Sequence, residues 1–396
     1  MKNHRAVNSY ITLIFFMMFL YGINGQMIGT VITRIILHYN IQMAKAGLLS
    51  SCINAGNFAA IFVITIFSGR INKMILLGAS LLFISASQFL ISTAPAYGFL
   101  LASFALVGLF GATLDNLVNS LTADLRSDSV SRYMSFLHGF YGLGGLCGPI
   151  IVDRLAANFS WSEAYNIISA VFLFYLVIYA LFVRLQWTAL TAIVSNEKQS
   201  RFGPSDMIQF FMKKRHLLLW VVMFFYGGNQ STLAVWIKRY VETHLNEPSW
   251  GAYALSAMWF GTAISRLFLA PNIKASSLQK IFVGNFISGI ALAAGLWSGS
   301  VVGILAASLA VGLSSGLSIP LILATGCEWH PDRTAFGTLM PFTALFISYV
   351  LFPPFSGLLS DIMGIPWGVA LGALSAIFTA VFARILDGSL KRSAGV

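Results

Sequence analysis

An all-α polytopic membrane protein of twelve transmembrane helices, built as two six-helix repeats, is the fold class this sequence predicts. Three observations carry it. Of 396 residues, 57% are hydrophobic and only 9% charged, against about a quarter charged in a soluble domain. Lipid must therefore replace water around much of the surface. The apolar residues are gathered into twelve runs, each of about 20 residues or more, the length that crosses a bilayer as a helix. Landmarks of the first six runs return in the last six at a nearly constant offset, the mark of an internal repeat.

Taken in order, the first run, 9–36, follows a short basic start and is a full span rather than a cleavable signal; it contains YGIN at 21–24. Runs 44–67 and 74–93 are joined by SGRINK (68–73). The former carries Asn54 and Asn57, three apart and on one helix face; the latter carries Gln88. The fourth, 97–123, holds LDNLVN, and the fifth, 133–153, holds LHGFYGLGGLCGP. The sixth, 163–186, completes an N-terminal half, 1–186. The most polar segment, 187–215, is read as a cytoplasmic linker. The C-terminal half, 216–396, has runs at 216–239 (with YGGN at 226–229), 250–270, 278–298, 301–325, 334–360 and 366–386.

The net charge of +11 is explained by topology. With the N-terminus in the cytoplasm, nineteen of the 24 lysines and arginines fall on that side. Only Arg34, Lys45, Arg154, Lys238 and Arg239 fall on the other. The positive-inside rule then places both termini in the cytoplasm, and nucleic-acid binding is discarded. Cys52, Cys147 and Cys327 are far apart, show no metal-ligand spacing and predict neither a disulfide nor a metal site. No cofactor is expected. The localisation is a plasma (bacterial inner) membrane, with the lipid bilayer as solvent.

The repeat is specific. Tyr21, Asn24 and Arg34 return as Tyr226, Asn229 and Arg239 at an offset of 205. Arg70, Gly108, Asp124 and Pro149 return as Lys274, Gly312, Glu328 and Pro353 at 204. Six spans repeated in parallel about a cytoplasmic linker resemble the major facilitator superfamily. The resemblance covers nearly the whole chain. It implies that the first and fourth helices of each half line a central cavity, so that Asn24 and Asn229 face each other across it, with Gln26 and Gln230 beside them. A buried amide needs a partner, and a hydrated substrate path supplies one. The alternative for these asparagines is interhelical hydrogen bonding.

Finer motifs are similar to those of the fucose–galactose–glucose:proton symporter branch. That branch has Tyr-x-Gly-x-Glu followed by Trp in helix 7, and Gly-Arg-Leu at the end of helix 8. Here FFYGGNQSTLAVW supplies Trp236 and replaces the glutamate by Asn229 or a neighbour, and SAMWFGTAISRL supplies Arg266-Leu267 after Ser265. The branch has an acid in helix 4 with an asparagine four residues on, matched by Asp115 and Asn119, and uses that acid in proton coupling. A second acid in helix 1 has no counterpart, since no Asp or Glu precedes Asp115. SGRINK keeps Arg70 and Lys73 of the superfamily's gate motif but lacks its aspartate, for which Asp124 or Asp128 would substitute. GLGGLCGP resembles part of a helix 5 antiporter motif.

Asp115 is the informative residue, because a carboxylate inside a span costs about 2.5–3.5 kcal/mol on insertion scales and marks a pathway or relay. His138 on the fifth span is placed at a similar depth, so the two form a candidate proton-exchanging pair. The alternative is an ion pair with Arg126 or Arg132 that latches the inward gate. Arg70, Lys73, Asp124, Arg132 and Arg266 are the candidate gating residues. Tyr21, Tyr226, Trp236 and Trp259 are the candidate aromatic contacts, because sugar rings stack on aromatic faces while amides bind hydroxyls. The expected function is secondary transport of a small neutral polar, sugar-like solute with protons, by a monomeric unit that exposes its site alternately to each side. The competing expectation is an exporter of amphiphilic compounds. An enzyme is not expected: no metal cluster, nucleophile elbow or phosphate loop is present in the sequence.

Overall fold

The computed structural model describes residues 2–67, 70–126, 130–191, 210–266, 276–330 and 334–393. Its helices are α1 (Lys2–Tyr39), α2 (Met43–Phe67), α3 (Lys73–Ser92), α4 (Tyr97–Leu125), α5 (Val130–Asn158), α6 (Trp161–Thr191), α7 (Lys214–Thr243), α8 (Pro248–Ile264), α9 (Ser277–Ser298), α10 (Val301–Ser315), α11 (Ser318–Glu328), α12 (Thr334–Met363) and α13 (Ile365–Ser393). Among the described residues eleven stretches are long and apolar enough to cross a membrane, α10 and α11 together (Val301–Glu328) making one of them. The remaining predicted run is α8, 17 residues long, followed by a π-helical turn at Ser265 and Arg266. Most of the predicted linker, and Asp128 and Lys274, lie outside the described residues.

Local chemistry sets several boundaries. Asn72 caps α3, its side chain accepting from the Met74 N–H at 2.8 Å, and Ser276 and Ser300 do the same for α9 and α10. Gly299 ends α9 in the left-handed region at φ 57°, where a side chain is disfavoured. Large apolar side chains such as Phe174, Leu185, Ile290 and Phe355 stand exposed along the helices. Water would not tolerate them there, and lipid does.

The chain divides into two compact units. Unit 1 is Met1–Ile35 with Cys52–Gln199; unit 2 is Ile36–Ser51 with Ser200–Val396. α2 is thus shared, its first turns belonging to unit 2. There the two carboxylate oxygens of Asp361 on α12 accept the Met43 and Ala44 N–H groups, each at 2.9 Å. Pro354 has no N–H to offer the Val350 carbonyl one turn back in α12, and Ser51 Oγ donates to that carbonyl instead, at 2.5 Å.

The repeat is built into the packing. In unit 1, a Cβ on Gly56 of α2 would strike the Ala105 carbonyl of α4, and one on Gly108 of α4 would strike the Ile53 carbonyl of α2. In unit 2, Gly261 of α8 meets the Leu309 carbonyl and Gly312 of α10 meets the Met258 carbonyl. These four partners are related by the same offsets of 204 and 205. Both pairs of helices therefore touch backbone to backbone, which only glycine permits. α7 runs through the middle of unit 2, where Leu219, Val222, Met223 and Tyr226 join Ile281, Ile322, Ala344 and Ala383 in one buried cluster.

Candidate functional site

In unit 1 the polar side chains inside the spans converge on α1, α4 and α5. Gly111, Asp115 and Asn119 fall at i, i+4 and i+8 on one face of α4. Gly111 leaves room for the Tyr21 ring: a Cβ there would lie 2.9 Å from Tyr21 Cε2. Tyr21 stands within electrostatic reach of Asp115, and its ring centroid is 5.7 Å from that of Tyr141 on α5. Asn119 Nδ2 donates to Asp115 Oδ1 at 3.2 Å and to the Asp115 carbonyl at 2.7 Å. Asp115 is about 15 Å from the C-terminal end of α4, ten residues at the helical rise, and among the described residues it has no ion pair.

The expected pairing of Asp115 with His138 is not formed. The side-chain bond of Asp115 is to Asn119, His138 is exposed on α5, and the α5 side chain packed against Tyr21 is Tyr141, one turn further on. Nor do the arginines latch Asp115. Arg126 donates to Asn8 and lies over the Tyr133 ring at 4.7 Å, and Arg132 is exposed with its guanidinium 5.8 Å from the Phe136 ring.

The paired asparagines sit in helix seams within their own units. Asn24 is 8% exposed, and its Oδ1 accepts from Gln88 Nε2 of α3 at 2.6 Å. Asn229 is 0% exposed; its Nδ2 donates to the Gly372 carbonyl of α13 at 3.0 Å. Gln230 donates to Asn229 Oδ1 at 2.9 Å and to Ser315 Oγ of α10 at 3.2 Å. Gln26 is buried where α1 passes Gly148 of α5. Trp236 is enclosed and donates its indole N–H to the Pro353 carbonyl at 3.1 Å. Trp259 is half-buried on α8.

Unit 2 holds a second polar centre where α10 breaks into α11 at Gly316 and Leu317. Arg266, at the end of α8, donates from Nε to the Gly316 carbonyl at 3.0 Å and stands within electrostatic reach of the Tyr226 hydroxyl of α7. Among the described residues this guanidinium has no carboxylate partner. Of the residues expected to gate, Lys73 and Asp124 form a 2.7 Å ion pair, both largely buried, whereas Arg70 is exposed in the loop between α2 and α3. Arg34 pairs with Asp153 at 3.0 Å toward the other end of α1.

Sequence reasoning missed Tyr141, the break at Gly316 and the Asn24–Gln88 bond. A tyrosine in a glycine-rich span was the available signal for the first; the apolar run 301–325 gave none for the second. Among the described residues no group of three or more His, Cys, Asp or Glu is gathered closely enough to hold a metal ion.

Comparison with known proteins agrees with this architecture. No match to a curated protein sequence is found. Among solved structures, a mutant of the peptide transporter POT in complex with sulfate superposes with a TM-score of 0.77 at 12% identity, covering 96% of this chain and 94% of that one. A bacterial homolog of the human lysosomal transporter Spinster, in an inward-facing, unoccupied conformation, gives 0.71 at 16% identity, covering 97% and 96%. The same protein's inward-facing, occupied form gives 0.68 at 17%, covering 96% and 95%. At these identities the likeness is one of fold. The family model of the Major Facilitator Superfamily matches residues 14–325, most of the chain. This multi-pass membrane protein therefore belongs to the Major Facilitator Superfamily and is a transporter of small molecules rather than an enzyme.

Proposed function

We propose that this chain is a proton-coupled secondary transporter of a small neutral polar solute, sugar-like in its hydroxyl chemistry. It would work as a single-chain unit in a plasma membrane with both termini in the cytoplasm. The observation that carries the reading is Asp115, a carboxylate within a span held by one amide and, among the described residues, by no cation. An intramembrane carboxylate left uncompensated marks an ion or proton path. Tyr21, Tyr141 and Asn119 around it offer two aromatic faces, two hydroxyls and an amide, a set suited to a hydroxylated ring. In unit 2, Tyr226, Trp259 and Arg266 are the corresponding candidates. Asn24, Asn229 and Trp236 are reassigned to holding helix seams, because their hydrogen bonds and burial fit that work, and Gln26 because of its burial beside Gly148.

Coupling then requires that protonation of Asp115 change the balance between the two access states. Loss of charge frees Asn119 Nδ2 from a carboxylate and removes a desolvation cost, which alters what α4 must expose to water. The test is Asp115→Asn in proteoliposomes, with the solute first found by thermal stabilisation against sugars and polyols, since a ligand of the folded state raises stability. Expected is loss of accumulation driven by a proton gradient, with solute exchange across the membrane retained. Gradient-driven accumulation that persists in Asp115→Asn would refute proton coupling through this residue. Stabilisation by bulky amphiphiles alone would favour the exporter.

A further inference from the structure

We propose that unit 1 carries a binding site for an anionic phospholipid, in the groove between α3 and α6, apart from the transport site. The groove encloses about 520 Å³, within the range of about 300–1,000 Å³ typical of small-molecule clefts. Its walls are Met74, Ile75 and Gly78 of α3 and Leu176, Tyr179 and Val183 of α6. Tyr179 presents only its ring: its hydroxyl donates to the Met74 carbonyl at 2.8 Å and meets the Tyr10 hydroxyl at 2.9 Å. Gly78, with no side chain, opens the slot to that ring. The body of the groove therefore offers no free polar group to a hydrophilic solute, and matches an acyl chain.

One end of the groove is different. Arg184 and Trp187, one turn apart on α6, complete the lining. Arg184 is exposed, and among the described residues it makes no hydrogen bond or ion pair. Lys73, close by at the start of α3, is taken by Asp124 at 2.7 Å, so Arg184 is the cation lining the groove that is open to a ligand. Met74 and Ile75 are the first turn of α3, where the positive end of the helix dipole adds to the field of Arg184. This end carries Arg70, Lys73 and Arg184 and is cytoplasmic by the distribution of basic residues. Basic pockets between spans on that side bind anionic headgroups, and an interfacial tryptophan sits at headgroup depth. A phosphate on Arg184 with its chain along Gly78 satisfies both halves of the groove, which a second protein face, apolar throughout, would not.

The experiment uses the purified full-length chain in detergent. Retained lipid is read by native mass spectrometry and stabilisation by thermal unfolding. Phosphatidylglycerol, phosphatidylcholine with the same chains, and inorganic phosphate are titrated separately. Expected is retention of phosphatidylglycerol with a rise in unfolding temperature, at least fivefold weaker retention of phosphatidylcholine, and no effect of phosphate alone. Arg184→Ala should weaken phosphatidylglycerol retention about fivefold, the effect of one basic residue near an anionic headgroup, and Arg184→Lys should restore most of it. Gly78→Leu should fill the slot and displace the lipid with the charge intact. Gly78→Ala controls for folding, because the nearest atoms a Cβ there meets are those of Tyr179 and Leu176, at 3.4–3.9 Å, an ordinary contact distance. Equal retention of the two lipids, equal retention by Arg184→Ala, stabilisation by phosphate alone, or a dimer that shields the groove would each overturn the proposal.

Discussion

Replacing Asp361 should release the first turn of α2. The first N–H groups of any helix lack partners within it, and here two of them, on Met43 and Ala44, are both accepted by one carboxylate at 2.9 Å. Met43 is buried, so its N–H has little water to turn to. Losing a capping acceptor costs about 0.5–2 kcal/mol, typically about 1. Two bonds to one charged group, partly screened because Asp361 is exposed, put Asp361→Ala near about 1.5 kcal/mol. Asn keeps one oxygen but turns an NH2 toward the second donor, so Asp361→Asn should lose at least half as much. Because about 1.4 kcal/mol is a factor of ten in an opening equilibrium, amide exchange is the sensitive assay. Peptides covering 43–46 should exchange about tenfold faster in Asp361→Ala, while those covering 56–64 keep wild-type protection. Unchanged exchange at 43–46 would refute the cap. Uniform acceleration along α2 would show that the carboxylate supports the whole helix rather than its first turn.

Two further outcomes follow from the packing. Lys73→Ala and Asp124→Ala should each lower stability by about 1–2 kcal/mol, since the pair is largely buried. The double substitution should cost less than their sum by at least about 0.5 kcal/mol in a thermal-unfolding cycle; strict additivity would mean that the 2.7 Å contact does not couple them. Gly108→Ala and Gly312→Ala should each destabilise by about 1–3 kcal/mol, because the added methyl drives two backbones apart. Gly139→Ala on α5, where a Cβ meets nothing within 4 Å, should instead be neutral or gain about 0.5–1 kcal/mol. Equal behaviour of the three in unfolding scans would remove the close-packing argument.

The spans and the repeat were legible in the sequence because both depend on composition along the chain. Lipid selects apolar runs, and duplication preserves register. Orientation about each helix axis was not legible, because an isolated apolar helix shows no face that hydropathy can read. So Asn24 and Gln88 were each visible as polar residues within spans, but their 2.6 Å bond depends on how α1 and α3 are rotated against each other. The break at Gly316 was hidden for a related reason: Leu317 and Ile319 keep the run apolar, and the carbonyl freed there is met by an arginine 50 residues away. The sharing of α2 between units was likewise invisible, since Asp361 and Ser51 look like ordinary polar residues until Met43, Ala44 and Val350 are seen to need partners.

What the repeat did not preserve points to function. The glycine seams recur in register and do structural work that both units need, and Tyr21 and Tyr226 recur with them. The charges beside those tyrosines do not recur. At the repeat offset Asp115 falls on Ile319 and Asn119 on Leu323, and Arg266 corresponds to Ile61. Each tyrosine therefore stands beside a charge of opposite sign, Asp115 in unit 1 and Arg266 in unit 2, and neither charge has a counter-ion among the described residues. A duplicated scaffold under selection for packing alone would lose both charges, because each is costly inside a span. Their presence in one unit each, beside the equivalent tyrosine, is the feature that packing alone does not explain.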